Sequence, residues 1–249
     1  MLKTRTIAIG DIHGCLDELK ELLNKCKYNK ETDRVIILGD LCDRGPYSIE
    51  SIRFVNQMGF DCVKGNHDLK HEKYYNHFQK KKENPKYKIP VKPFYGDKLK
   101  IQEQLTKEDI NYIQSLPFYI DLNYNWLAVH AGVEPNIPIE EQNDERLCHI
   151  RYIDKDTLRQ KSLTGKYEQP ENSIFWDEVY NGNYNIIYGH NVNSLYEPKI
   201  FKTNNNKWII GIDLGCCFGG KLCAMILEKN NDFSFEFVQA KKEYWPKTW

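Results

Sequence analysis

Asp11 and His13, in Gly10-Asp11-Ile12-His13-Gly14, open a series of five short strings spaced along the chain. The others are Gly39-Asp40-Leu41-Cys42-Asp43-Arg44-Gly45, Gly65-Asn66-His67-Asp68, His130-Ala131-Gly132 and Gly189-His190. Asp11 and His13, two residues apart at a strand end, point the same way and can hold one divalent ion. Asp40 can bridge to a second ion, which Asn66, His130 and His190 complete. Carboxylate and imidazole donors suit manganese, iron or zinc. Two such ions roughly 3.5–4 Å apart share a water, lower its pKa and aim it at phosphorus. Asn66 adds an oxygen donor without a further negative charge. Three groups are left over. His67 can protonate a leaving alkoxide as general acid. Asp43 can fix the tautomer of His67 and keep it cationic. Arg44 offers a planar fork for two phosphoryl oxygens, which a lysine could not reproduce. The chemistry these residues could do is two-metal phosphoester hydrolysis.

These side chains need elements to hold them. Thr6-Ile7-Ala8-Ile9 and Val35-Ile36-Ile37-Leu38 read as buried strands, and Phe60 to Val63 as a third. Between them, Leu16, Leu19, Leu22, Leu23 and Cys26 recur at helical spacing, and Ile49, Ile52, Phe54, Val55 and Met58 mark another helix. Strand alternating with helix predicts a largely parallel sheet with helices on it. Each of the first three strings begins within about two residues of a strand's carboxyl end, where open α/β sheets bind ligands. Farther on, Thr106-Lys107-Glu108-Asp109 resembles a capping box opening a helix over 110–116 that Pro117 closes. Phe118 to Leu122, Trp126 to His130, Ile186 to Gly189, Trp208 to Ile212, Leu222 to Leu227 and Phe233 to Val238 read as strands, so a second sheet packed on the first is expected. The stretch 133–185 contains a loop region with too little pattern to assign.

A chain of 249 residues with 41% hydrophobic residues fits one domain, 1–249, with a real core. Lys+Arg and Asp+Glu are both 35, so no overall field favours nucleic acid or a membrane surface. No segment approaches the roughly 18 apolar residues of a membrane span. The amino terminus runs straight into a strand with no apolar signal core. Eight cysteines are scattered without paired Cys-x-x-Cys spacing and are expected to stay reduced. The expected setting is cytoplasmic, with no membrane partner and an oligomeric state left open.

The five strings resemble the metallophosphoesterases of the phosphoprotein-phosphatase superfamily, the calcineurin-like enzymes. Their signature is Gly-Asp-x-His-Gly, Gly-Asp-x-x-Asp-Arg-Gly, Gly-Asn-His-Asp/Glu, His-Ala-Gly and a late Gly-His. Similarity continues through Ile212-Asp213-Leu214-Gly215-Cys216-Cys217-Phe218-Gly219-Gly220-Lys221-Leu222. That string is similar to the bacterial branch of diadenosine-tetraphosphatase-like enzymes and the phosphatase module of polynucleotide kinase-phosphatase. The resemblance implies an α/β fold of two packed mixed β-sheets flanked by helices, an αββα sandwich. It also implies a dinuclear site, most often active with manganese, and the roles given above for Asp11, His13, Asp40, Asp43, Arg44, Asn66, His67, His130 and His190. Two departures stand out. Asn191 follows His190 where the family usually has threonine, and only Arg151, in His149-Ile150-Arg151-Tyr152, offers itself as a second phosphate-binding arginine. The best expectation is a bis(5'-nucleosyl)-tetraphosphatase-like hydrolase acting on a nucleotide polyphosphate. Serine/threonine protein phosphatase and nucleic-acid end or cap phosphatase are the alternatives, and a metal-free scaffold is disfavoured because no ligand is missing.

Two features stay open. Asp213 can support the site or merely solvate a strand edge. The segment 70–100 holds ten lysines against three acidic residues, with aromatic residues interspersed and Pro85, Pro90 and Pro93 breaking its second half. It is either a solvated insertion or a basic rim, with Lys80, Lys81 and Lys82 near the Gly65-Asn66-His67-Asp68 turn drawing in polyanions. His71, His77 and His149 match no string and are expected to be solvated.

Overall fold

Ile7 and Ile9 of β1 (Arg5–Ile9) are wholly buried on one side of a sheet, and Ala8 between them is buried on the other. The strand is apolar on both faces because it is covered on both. The same holds for β2 (Asp33–Ile37), where Val35 and Ile37 join Ile7 and Ile9, and Ile36 joins Ala8. The computed structural model describes residues 5–163 and 168–247; the first four residues of the opening segment lie outside them.

Between these strands, α1 (Leu16–Lys25) buries Leu16, Leu19, Leu22 and Leu23. There follow α2 (Ser48–Met58), the two-residue β3 (Asp61–Cys62), α3 (Asn66–Glu83), α4 (Asp97–Gln104) and α5 (Lys107–Ser115). The Thr106 side chain accepts the Asp109 N–H and the Asp109 carboxylate accepts the Thr106 N–H, so the expected capping box opens α5. Next come β4 (Tyr119–Asn123), β5 (Trp126–Val129), α6 (Asp144–His149), β6 (Tyr152–Asp154), β7 (Gln160–Lys161) and β8 (Ser173–Phe175). The chain ends with β9 (Asn185–Tyr188), β10 (Lys199–Lys202), β11 (Trp208–Gly211), β12 (Lys221–Glu228) and β13 (Phe233–Gln239).

The first sheet runs β13-β12-β1-β2-β3. It is mixed rather than largely parallel: β1, β2 and β3 are parallel, but β12 pairs antiparallel with β1 across five registered residues. Two of the strands expected in the second sheet thus complete the first. The second sheet, β10-β11-β9-β5-β4, is parallel at its centre and antiparallel at its edges. Ala8, Ile36 and Met225 from one sheet meet Ala128, Ile187 and Ile210 from the other in a shared core. Leu19, Leu22 and Ile52 cover the outer face of the first sheet. Trp176, Leu147 and Ile153 cover the second. The result is two packed mixed sheets flanked by helices. A small third sheet, β7-β6-β8, occupies part of the stretch the sequence left unassigned. Among the described residues no helix is long and apolar enough to cross a membrane.

Candidate active site

All five strings follow the carboxyl ends of strands β1, β2, β3, β5 and β9. The turns they form are tight. His13, Asp40, Asp43, Arg44 and His190 all sit at positive φ, between 43° and 71°. Non-glycine residues rarely adopt this region, at a cost of order 1–3 kcal/mol each, and such residues gather at functional sites. The glycines of one string make room for the ligands of another. A Cβ on Gly65 would lie 2.2 Å from Asp40 Oδ1, and one on Gly189 would lie 2.0 Å from Asp11 Oδ1. Gly189→Ala is therefore expected to displace Asp11 and lower kcat/KM by roughly 10²-fold, the usual effect of about 1 Å of misplacement in a reacting site. Circular dichroism should stay unchanged while activity falls; wild-type kinetics from the variant would show that the close approach does not matter.

Asp40 is the centre of the cluster. Its Oδ1 accepts the His67 N–H at 2.8 Å and lies 3.4 Å from His130 Nε2, while its Oδ2 lies 3.3 Å from His13 Nε2. His13 Nδ1–H donates to the Cys42 carbonyl (2.8 Å) and His130 Nδ1–H to the Leu38 carbonyl (2.6 Å). Both rings therefore turn an unprotonated Nε2 inward. Asn66 Oδ1 faces His130 Nε2 at 3.2 Å and His190 Nδ1 at 2.9 Å. Oxygen and Nε2 have no proton to share, and Asp40 adds more negative charge. A cation fits such a convergence of lone pairs. With no cation, reversing the amide would let Asn66 donate to His130, His190 and Asp40 and accept from Lys70 Nζ at 3.1 Å. Asp11 adjoins this centre, its carboxylate accepting the His190 N–H at 3.0 and 3.1 Å. Burial first, then the charges of Asp213 and Asp40, push Asp11 well above the usual carboxylate range. Burial also pushes Asp40 up, but His130, His67, His13 and Arg44 outweigh it and hold Asp40 far below that range. Three buried acids this close need positive charge. The donor set (Asp11, His13, Asp40, Asn66, His130 and His190) could hold two divalent cations with Asp40 between them.

The leftover groups form a second cluster. His67 Nδ1–H donates to Asp43 Oδ2 at 2.5 Å, so its tautomer is set as expected. Its charge is not. Burial, with Arg44 adding to it, outweighs Asp40 and Asp43 and lowers His67 to about 4, so the ring is neutral rather than cationic. Arg44 donates to His13 Nε2 (2.5 Å) and His67 Nε2 (3.1 Å), and its guanidinium lies 4.9 Å from the Phe218 ring centroid. His71 is a residue the sequence reading missed. Far from solvated, it is fully buried, donates from Nε2 to Asp43 Oδ1 at 2.9 Å and pairs through Nδ1 with the Gln102 side chain at 2.9 Å. Lys98 Nζ stands 3.4 Å from Asp43 Oδ2. Asp43 thus links two histidines and a lysine.

Beside these clusters lies a cavity of about 550 Å³, lined among others by Lys70, Tyr95, Lys98, Arg151 and Trp245. His149 lines it too, so only His77 of the three remaining histidines stays apart, bonded to Tyr87 OH at 2.6 Å. Arg151 reaches the cavity by donating to the Asn191 side chain and to the His190 carbonyl at 3.2 Å. Asn191, the departure noted after His190, is what holds it. Asp213 sits beside Asp11 and accepts the Gly215 N–H at 2.9 Å. Lys80, Lys81 and Lys82 are not on this rim. They ride the far end of α3, roughly 21 Å beyond Asn66 at 1.5 Å per residue, and Lys81 caps the Pro85 and Tyr87 carbonyls instead.

The fold and this site define a class. The model of the calcineurin-like phosphoesterases matches residues 4–238, and the chain belongs to that family. These enzymes are hydrolases that use a dinuclear divalent metal site. Among its relatives, the asymmetrical bis(5'-nucleosyl)-tetraphosphatase PrpE of Bacillus subtilis is 32% identical over 86% of this chain and 87% of its own. The symmetrical bis(5'-nucleosyl)-tetraphosphatase of Psychromonas ingrahamii is 33% identical over 92% of this chain and 96% of its own. A Saccharomyces cerevisiae serine/threonine phosphatase shares the fold alone, with a TM-score of 0.60 and 15% identity over 96% of this chain and 81% of its own.

Proposed function

We propose that this protein hydrolyses a phosphoanhydride bond of dinucleoside polyphosphates such as diadenosine tetraphosphate, using two divalent ions, foremost manganese. The observation that carries the reading is the convergence of Asp40, Asn66, His130 and His190 donor atoms on one point beside a cavity lined by Arg44, Lys70, Lys98 and Arg151. Relatives over 85% of the chain that act on such substrates support it. One domain over 1–249, with 70–100 inserted in it, belongs to the same reading, as does a cytoplasmic setting, which eight buried thiols suit.

Asp11 and His13 would hold one ion, and Asn66, His130 and His190 the other, with Asp40 shared. Such a pair supplies Lewis acidity toward the phosphoryl oxygens and lowers the pKa of water. Arg44 turns its fork from the two imidazoles to the phosphoryl group, where a guanidinium makes two parallel bonds. Arg151, anchored by Asn191, lines the same cavity and meets the same anion. His67, unprotonated at Nε2 in the free protein, would take up a proton there from solvent once Arg44 turns away and then give it to the leaving oxygen, while Asp43 fixes the ring through Nδ1. His71 holds Asp43 in place from behind.

The test is a panel of diadenosine tetraphosphate, phosphopeptide, 2′,3′-cyclic nucleotide and capped RNA, ranked by kcat/KM with added manganese. Diadenosine tetraphosphate should lead, and chromatography should show either ATP with AMP or ADP alone. Exhaustive chelation should abolish turnover and readdition of manganese restore it, while thiol reductants leave it unchanged. Full activity after chelation, or a phosphopeptide in first place, would overturn the proposal.

A further inference from the structure

The lysine-rich segment is neither wholly solvated nor a rim at Lys80 to Lys82; its second half folds back over the site. Phe94 stacks on Tyr74 of α3, with centroids 4.1 Å apart and planes 9° from parallel, and meets the His71 ring edge-on at 5.0 Å. Paired aromatic rings of this kind contribute beyond their buried area. They anchor the chain just before α4, and Gln102 of α4 ties to His71. Between these anchors, Tyr95 and Lys98 are delivered to the cavity. Tyr95 is 76% exposed there, and Trp245, 39% exposed, lines the same cavity from the carboxyl-terminal segment. Lys98 borrows Asp43, whose two oxygens are already used by His67 and His71. Lys70, one turn beyond Asn66 on α3, adds a second ammonium to the same cavity.

Two ammonium groups beside the reacting centre, with a bare phenol ring next to them, match a nucleoside polyphosphate read from phosphorus outward. We propose that Lys70 and Lys98 bind the phosphoryl groups beyond the one attacked, and that Tyr95 stacks on a nucleobase at the end of that chain, in the cavity that Trp245 also lines. This deepens the proposed function and rests on it for the identity of the substrate. The volume, about 550 Å³, lies within the roughly 300–1,000 Å³ of small-molecule sites.

Calorimetric titration of the manganese-loaded protein tests it, with AMP, tripolyphosphate and a β,γ-methylene analogue of ATP as probes. The wild type should bind the analogue more tightly than AMP. Lys98→Gln should weaken both the analogue and tripolyphosphate by about tenfold or more, the usual effect of losing a charge-assisted bond, and Lys98→Arg should recover most of it. Tyr95→Ala should weaken the analogue by roughly 5–150-fold, the range for base stacking on an aromatic ring, and leave tripolyphosphate within about twofold. Analogue affinity within about twofold of wild type in both variants overturns the subsite, even if diadenosine tetraphosphate is turned over rapidly. Losses as expected, with no turnover of diadenosine tetraphosphate by the wild type, would leave the subsite standing and remove the proposed substrate.

Discussion

Asp40→Asn is expected to empty the site and stop catalysis together. Asp40 touches His13 through one oxygen and His130 and the His67 N–H through the other. An amide in its place keeps the volume but offers one oxygen and an N–H₂ group, and the donor end would face a histidine lone pair on whichever side it fell. The amide also removes the negative charge that both ions would share. Loss of a group that merely orients a ligand lowers metal affinity or activity by about 10–100-fold; removing the shared ligand should exceed that for both. The measurement is elemental analysis of the dialysed protein beside kcat on diadenosine tetraphosphate. Two bound ions in the variant, or turnover within about tenfold of wild type, would take Asp40 out of the bridging position. Asp68 is the informative control. It is buried two residues beyond Asn66, but its carboxylate clips the Gly65 and Leu41 amides rather than facing the lone pairs. Asp68→Asn should loosen the turn and leave both ions in place.

The donor set was legible in the sequence because each string carries its own reason to be where it is. A strand's apolar run ends and the ligand follows within a few residues, after a glycine in every string but His130-Ala131-Gly132, where the glycine comes two residues later. What the strings could not convey was who stands behind them. His71 reads as one more polar residue on a lysine-rich helix, because its partners Asp43 and Gln102 lie 28 and 31 residues away in sequence. The pairing of β12 with β1 was equally hidden: an apolar run such as Leu222 to Leu227 states that a strand is buried, not which neighbour it takes or in which direction. Lys80 to Lys82 were the obvious cations by count, yet helix geometry carries them away from the ligand-bearing end of α3. Lys70 and Lys98, isolated in sequence, are the ones that the helix turn and the Phe94 anchor bring in. The charge of His67 followed the same logic. A carboxylate partner alone predicts a cation, but complete burial beside Arg44 reverses the sign.

His67→Asn should fail in a manner that separates it from Asp40→Asn. His67 holds Asp40 through its backbone N–H, which donates to that carboxylate and survives the substitution. Both ions should therefore remain. What disappears is Nε2, a nitrogen the donor set does not need, on a ring that Asp43 aligns through Nδ1. Its proposed work is to take up a proton once Arg44 has turned away and deliver it as the leaving oxygen takes on charge, so the loss should track how badly that oxygen needs one. For alkyl phosphoesters the rate should fall by about 10²–10⁴-fold, the usual contribution of a positioned acid. An activated aryl leaving group departs as a stable anion and should lose far less, and a nucleotide leaving through phosphate oxygen should fall between the two. The diagnostic quantity is the slope of log kcat against leaving-group pKa, which should steepen in the variant while metal content holds at the wild-type value. An unchanged slope with a uniform loss across substrates would instead make His67 a binding partner of Arg44, whose Nη2 it accepts at 3.1 Å. The leaving group would then draw its proton from elsewhere.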